Sequence, residues 1–361
     1  MPDKLKFAFY WTASCGGCEV AVLDIDEKIL DVLEITEIVF WPVAMDIKYK
    51  DVEQFSDGYI DVCFINGAIR NSENEEIVKL LRQKSKTVVA FGSCACFGSV
   101  IGLANLNSRE TIFETVYKET PATINPQNII PQNKVRTNVR TEQMFGPNKC
   151  SGSSPNHNEL TLPEFLETLK TLDEAIKVDY YLPGCPPPVK LIIDAVNAIA
   201  SGKLPPAGSV LAGKKSVCDE CKKEKQEKNI KEIKRVYEFK CSPRIHSGVS
   251  EANIDTEKCL LEQGIICLGP ATRSGCEAKC LNANMPCNGC MGSCEGVSDQ
   301  GAKMISALGS ILGITDEEKL TEGQIDKIIE KIHDPIGTFY KYTLLKSLLY
   351  EIIQIRTNVR F

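Results

Sequence analysis

Seventeen cysteines stand in a chain of 361 residues, and thiols are the groups here best suited to metal or redox chemistry. The first to attract notice are Cys15 and Cys18 in Cys15-Gly16-Gly17-Cys18, Cys94 in Phe91-Gly92-Ser93-Cys94-Ala95-Cys96, and Cys185 in Pro183-Gly184-Cys185-Pro186-Pro187-Pro188. Each follows a short β-branched or aromatic run that reads as a strand. If those strands lie parallel in one sheet, their carboxyl ends share an edge, and four thiols distant in sequence meet there. Four thiolates can neutralise and anchor a 4Fe-4S cluster, and flanking glycines let backbone N–H groups approach the sulfurs. A structural zinc, a redox dithiol and cysteines packed as small hydrophobes are the competing readings. The dithiol requires no third and fourth cysteine at other strand ends.

Eight more cysteines follow: Cys218-x-x-Cys221, then Cys259, Cys267, Cys276, Cys280, Cys287 and Cys290. Eight thiols suffice for two further four-thiolate sites. The compact ferredoxin spacing C-x-x-C-x-x-C-x-x-x-C is absent, and zinc ribbons use similar pairs, so spacing alone leaves zinc open. Three redox centres in series make a wire, whereas three zincs in a chain without nucleic-acid charge have no evident employment.

The elements that must position these residues read as α/β over residues 1–205. Strand candidates are Lys6 to Trp11, Ile38 to Trp41, Ile60 to Ile65, Thr87 to Phe91 and Val178 to Leu182. Helix candidates are Val20 to Leu33, Glu75 to Lys84, Glu164 to Ile176 and Val189 to Ser201, with Ser72 and Glu75 as a capping box for the second. Alternation of this kind predicts a doubly wound, mostly parallel sheet. Thr120 to Asn158, rich in Pro, Asn, Gln and Thr, reads as a surface excursion able to contact a partner. Pro205-Pro206-Ala207-Gly208 marks a boundary. Residues 206–300 form an irregular cysteine-rich region too poor in apolar runs to fold on a core alone, so that bound clusters are expected to cross-link it. Residues 301–361 return to helical periodicity, with Thr321 and Gln324 as a further capping box. The charge run Lys222 to Arg235 reads as a solvated helix face.

Composition narrows the function classes. A net charge of -6 argues against a nucleic-acid or anionic-membrane surface, and the expected partner is protein. No stretch of eighteen uncharged apolar residues predicts a membrane span, and nothing at the N-terminus reads as an export signal. The expected location is therefore cytoplasmic, where structural disulfides are rare and metal ligation is the better use of so many thiols.

Taken together the motifs carry a resemblance. Ala13-Ser14-Cys15-Gly16-Gly17-Cys18-Glu19, Gly92-Ser93-Cys94-Ala95, Pro183-Gly184-Cys185-Pro186-Pro187, Cys267-Leu268-Gly269-Pro270 and Pro286-Cys287-Asn288-Gly289-Cys290 occur in order over most of the chain. They resemble the signatures of nickel-iron hydrogenase small subunits. That resemblance implies a flavodoxin-like domain, a nickel-iron catalytic centre on a separate large subunit, and three 4Fe-4S clusters. Carried over by position, Cys15, Cys18, Cys94 and Cys185 hold the proximal cluster; Cys276, Cys280, Cys287 and Cys290 the medial; Cys218, Cys221, Cys259 and Cys267 the distal. No side chain of this chain is implied to be catalytic. Exported respiratory relatives carry His where this chain has Cys218, a twin-arginine leader, and often a three-cysteine medial site, which Cys280 here completes. The all-cysteine set is similar to that of cytoplasmic archaeal enzymes. Asp179-Tyr180-Tyr181-Leu182-Pro183-Gly184-Cys185 and Asp334-Pro335-Ile336-Gly337-Thr338-Phe339-Tyr340 resemble the viologen-reducing type of methanogens, which implies an electron-accepting iron-sulfur subunit and a heterodisulfide reductase as partners.

Two alternative functions accompany this reading: the small subunit of a deazaflavin-coenzyme-reducing hydrogenase, and a zinc-stabilised scaffold. A quinone-linked subunit of the respiratory complex-I type resembles the proximal half, but lacks the eight-cysteine region. Of the remaining cysteines, Cys63 reads as core packing, Cys96 as a rival to Cys94, and Cys150, Cys241 and Cys294 as unassigned. His157, His246 and His333 are isolated and read as surface or capping residues.

Overall fold

The computed structural model describes residues 4–136, 159–226, 230, 232–235, 254–312, 327 and 330–358. The strands are β1 (Leu5–Trp11), β2 (Thr36–Phe40), β3 (Ile60–Asn66), β4 (Ile69–Asn71), β5 (Ser85–Phe91), β6 (Lys134–Arg136), β7 (Glu159–Thr161), β8 (Phe165–Lys170) and β9 (Tyr180–Leu182). Five of them form a parallel sheet in the order β2-β1-β3-β5-β9. Numbered among themselves these strands run 2-1-3-4-5, the flavodoxin-like order.

Both faces of this sheet are covered, which is why its strands are near-continuous apolar runs. Alternate residues serve opposite faces. Phe7, Phe9, Phe64 and Phe91 point into one core, where Phe9 and Phe64 stack at 5.1 Å and the helix Val189–Ala200 contributes Leu191, Ile192, Ala195 and Val196. Ala8, Tyr10, Cys63, Ile65, Val88 and Ala90 face the other, covered by Ile77, Val78 and Leu81 of the helix Ser72–Lys84. Cys63 thus packs as a core residue.

Four sequence expectations are corrected. The span Glu164 to Ile176 is not one helix: Phe165–Lys170 pairs antiparallel with β4, and only Leu172–Ala175 is helical. Leu166, Leu169 and Leu172 have helical spacing, but the open edge of β4 and the Arg70 guanidinium stacked 4.0 Å over the Phe165 ring reward extension. Thr171 then starts the short helix with a capping box to Glu174. The helix expected over Val20 to Leu33 is broken by a 3-10 turn at Asp26–Lys28 between Gly17–Leu23 and Ile29–Ile35, where Asp26 takes φ 56° and Ile25 turns into the core. At the helix Ser72–Lys84 the cap is Asn71, whose Oδ1 accepts from the Asn74 N–H at 2.8 Å. Ser72 Oγ instead accepts from the Glu164 N–H at 3.0 Å, and Glu75 pairs with Lys79 and Lys170.

The fourth concerns the charge run. Its described residues contain no helix; they form bridges Glu224↔Lys258, Ile230↔Leu312 and Lys234↔Ile265. Ile230 and Ile233 are buried, so the run clamps the cysteine-rich region rather than floating over it.

Beyond the sheet, the cysteine-rich region and the tail share one core, with Val217, Leu260, Leu268 and Leu281 packed with Met304, Leu308, Phe339 and Leu344. The tail supplies the apolar surface that residues 206–300 lack. Its described helices are Gln300–Ile311, Pro335–Phe339 and Leu348–Asn358; Asp299 caps the first through the Ala302 N–H and Asp334 the second through the Gly337 N–H, each at 2.8 Å. Thr321 and Gln324 lie outside the described residues, as do the residues 137–158 of the expected surface excursion. Its described start ends in the β6–β7 ribbon.

Candidate metal centres

Cys15 and Cys18 follow β1, Cys94 follows β5 in the short helix Ser93–Phe97, and Cys185 follows β9. Because these strands are parallel, all four thiols stand at one sheet edge. Burial raises the Cys18 thiol, and the thiols of Cys94, Cys185 and Cys15 raise it further, in that order. Cys94 is pushed up to about 11 by burial, against a hydrogen bond from Ser99, with Cys185 and Cys15 adding to the rise. Gly92, with φ 84°, leaves the space that the Cys18 sulfur occupies; a Cβ there would run into it.

The loop before Cys18 is held from beneath. Ser14 Oγ donates to Asn66 Oδ1 at 2.8 Å and accepts from the Gly16 N–H at 3.3 Å. Glu19 is buried, and its carboxylate accepts from Trp41 Nε1 and Asn66 Nδ2. Burial raises its ionisation, and those two bonds oppose the rise. Cys96, by contrast, faces the core, 1% exposed, with its sulfur 3.3 Å from the Ala90 carbonyl to which it donates.

A second set surrounds a cavity of about 360 Å³, lined by Cys276, Cys280, Cys287 and Cys290 together with Cys185 and Tyr342. Cys290 is pushed up to about 12 by burial, against the backbone N–H of Cys185, with Cys276, Cys185 and Cys280 adding to the rise. The third set lies beyond. Cys218 is pushed up to about 12 by burial, against Lys225, with Cys267, Cys259 and Cys221 raising it. Gly269 passes close by: a Cβ there would stand 3.1 Å from the Cys218 sulfur and 3.6 Å from that of Cys267. The Cys287 N–H donates to the Cys267 sulfur at 3.3 Å, joining the second set to the third.

Among the described residues no group of three or more His, Cys, Asp or Glu could hold a single metal ion. The second set instead bounds a space with room for a larger group, and glycines clear the backbone from sulfurs in the first and third. This donor set, all thiol and cradled by N–H groups, fits iron-sulfur clusters.

Residues 15–199 match the family described as NADH ubiquinone oxidoreductase, 20 Kd subunit, a span containing Cys15, Cys18, Cys94 and Cys185. Over 96% of this chain and 98% of the relative, the sequence is 42% identical to the iron-sulfur subunit of the F420-non-reducing hydrogenase of Archaeoglobus profundus. This chain belongs to that family of hydrogenase small subunits. It is 33% identical to the corresponding F420-non-reducing hydrogenase subunit of Methanothermobacter thermautotrophicus over 98% of this chain and 99% of the relative. A chain of the NAD+-reducing NiFe hydrogenase in its H2-reduced state is 26% identical and is covered over 94% of its length by 56% of this chain, with a TM-score of 0.44. As a hydrogenase small subunit the chain is part of an oxidoreductase, and its cysteine sets belong to an iron-sulfur subunit. The full-length relatives span the eight-cysteine region that the family match to 199 leaves out.

Several residues that shape the centres carry no signal of their own in the sequence. Gln300 and Tyr342 lie far from every cysteine motif, and Ser93 is legible only as the neighbour of Cys94. Cys294 is half-buried near Arg273, His333 is exposed, and Cys150, Cys241, His157 and His246 lie outside the described residues.

Proposed function

We propose that the chain is the electron-relaying small subunit of a nickel-iron hydrogenase, carrying electrons from hydrogen oxidation on a large subunit toward a heterodisulfide reductase complex through an iron-sulfur subunit. In this reading Cys15, Cys18, Cys94 and Cys185 hold a proximal 4Fe-4S cluster, Cys276, Cys280, Cys287 and Cys290 a medial one, and Cys218, Cys221, Cys259 and Cys267 a distal one. The clusters, when bound, supply one-electron carriage. The observation that carries the reading is the pair of contacts between sets: Cys185 of the first set lines the cavity that the second set bounds, and the Cys287 N–H donates to the Cys267 sulfur of the third. One residue of the first set and one of the second thereby reach the next set, which supports reading the three cysteine sets as a connected series.

The remaining work of the chain is holding and shielding. Backbone N–H groups aimed at sulfur favour the more negative state of whatever the sulfurs bind. The large subunit is assigned to the edge where Cys15 and Cys185 are exposed. There Val20 and Leu23 are each 57% exposed, and Val43 and Met45, just beyond β2, stay 57% and 39% exposed. Apolar residues gathered at one edge are what a protein partner covers.

The choice of acceptor rests on the resemblance to the viologen-reducing type and on relatives named for not reducing F420, which argues against the deazaflavin alternative. In this chain Asp179 of that motif accepts from the Val88 N–H and pairs with Arg82, while Asp334 caps a tail helix. Cytoplasmic location is part of the proposal; among the described residues no helix is long and apolar enough to cross a membrane.

Metal analysis tests the reading. Protein purified anaerobically should contain about twelve irons per chain and little zinc, with broad brown absorption near about four hundred nanometres. About four irons with stoichiometric zinc would leave only the proximal site and end the electron-wire reading.

A further inference from the structure

One wall of the cavity bounded by the second cysteine set comes from the tail. Tyr342 lies in the turn between the helix Pro335–Phe339 and the 3-10 turn Leu344–Lys346, and it lines that cavity beside Cys185, Cys280, Cys287 and Cys290. The turn is pinned to the loop bearing Cys287 and Cys290 by Gln300, which is 2% exposed. Gln300 Nε2 donates to the carbonyls of Gly289 and Gly292 at 3.0 Å each, and its Oε1 accepts from Thr343 Oγ1 at 3.1 Å. The Thr343 N–H closes the turn on the Tyr340 carbonyl at 3.1 Å. Tyr340 in turn packs so closely on Gly301 that no side chain fits there.

Tyr342 is therefore fixed by its neighbours while its own hydroxyl has no hydrogen bond to any described residue. Burial raises its ionisation far above physiological pH, and the thiols of Cys185, Cys290, Cys280 and Cys287 raise it further, in that order. The phenol is a permanent donor whose electrostatic surroundings are sulfurs of two different cysteine sets.

We propose that the Tyr342 hydroxyl donates an O–H···S hydrogen bond to the sulfurs between the proximal and medial sites and so sets the reduction potential there. The inference rests on the ligand assignment proposed above. No bond is made or broken and no proton leaves the phenol. A donor to sulfur stabilises the more negative, reduced state, so its presence raises the potential.

The test is Tyr342→Phe in the cluster-containing protein, with iron analysis and a redox titration followed by electron paramagnetic resonance. Iron content should equal that of wild type, and one midpoint should fall by about 59 mV, the equivalent of tenfold in a one-electron equilibrium. Tyr340→Phe, whose hydroxyl faces Asp299, should move none. Wild-type midpoints in Tyr342→Phe would overturn the proposal while leaving the ligand assignment in place. Loss of iron in that variant would make the side chain a structural wall and also overturn it. If Cys276→Ser leaves every centre of the otherwise wild-type protein intact, the ligand assignment itself fails and the proposal goes with it.

Discussion

The hydroxyl of Ser93 donates to the carbonyl of Cys290 across 197 residues of sequence, and it accepts from the Gly184 N–H at 3.2 Å. The Ser93 N–H reaches the Gly184 carbonyl at 2.9 Å as well. One buried side chain therefore ties the loops bearing Cys94 and Cys185 to the loop bearing Cys290. The carboxyl edge of the sheet and the cysteine-rich region are joined at the point where the first and second cysteine sets approach.

Ser93→Ala should be costly for its size. Removing the hydroxyl leaves the Gly184 N–H and the Cys290 carbonyl without this partner inside the protein, a loss of about 1–3 kcal/mol. Denaturant unfolding of the cluster-containing protein should show a lower midpoint with an unchanged slope. A wild-type midpoint would mean that water replaces the hydroxyl without loss.

Cys94 and Cys96 separate cleanly by mutation. Cys94→Ser should lower iron content by about four per chain and abolish hydrogen-dependent viologen reduction, because it removes a thiol from the edge shared with Cys15, Cys18 and Cys185. Cys96→Ser should retain full iron, since the Cys96 sulfur donates to the Ala90 carbonyl inside the core, and a hydroxyl can do the same. The opposite pattern would shift the assigned ligand by two positions.

The metal-free chain should lose stability on the alkaline side. The ordinary thiol value is 9.0, whereas Cys94 and Cys267 are pushed up to about 11 and Cys218 and Cys290 to about 12, burial being the first cause for each. Above pH 9 the unfolded chain releases thiol protons that the folded chain still holds, so stability falls with rising pH. The contribution of these groups is complete below about pH 9 and is lost progressively between about 9 and 12. Thermal melts of the apo-protein across that range should decline, while the cluster-containing protein, with its thiolates already ligated, should decline less. Parallel curves for the two forms would show that these thiols do not carry the effect.

Legibility in the sequence differs from residue to residue. The sheet is legible because its strands are buried on both faces, so that Phe7 to Tyr10 and Val88 to Phe91 are unbroken apolar runs. Cys15, Cys18, Cys94 and Cys185 are legible because each follows such a run, and parallel order alone brings their positions to one edge. Phe165–Lys170 is not legible, since its leucine spacing suits a helix and only the free edge of β4 and the Phe165–Arg70 stack make it a strand. The charge run misleads for a similar reason: Ile230 and Ile233 are too few to announce a buried clamp, and the bridge partners, Leu312 for Ile230 and Ile265 for Lys234, lie far along the chain.

The sequence by itself determined which atoms are available for chemistry: twelve thiols in motifs, glycines beside them, and a parallel sheet to gather the first four. These are local facts of residue type and short-range period. Only the tertiary structure decided how the sets meet. The Cys287 N–H on the Cys267 sulfur, the Ser93 bridge to Cys290 and the placement of Tyr342 against two cysteine sets depend on loops that have no period of their own. Their positions come from packing of the tail into the core of the cysteine-rich region, a cooperative result of many distant contacts that no single segment encodes.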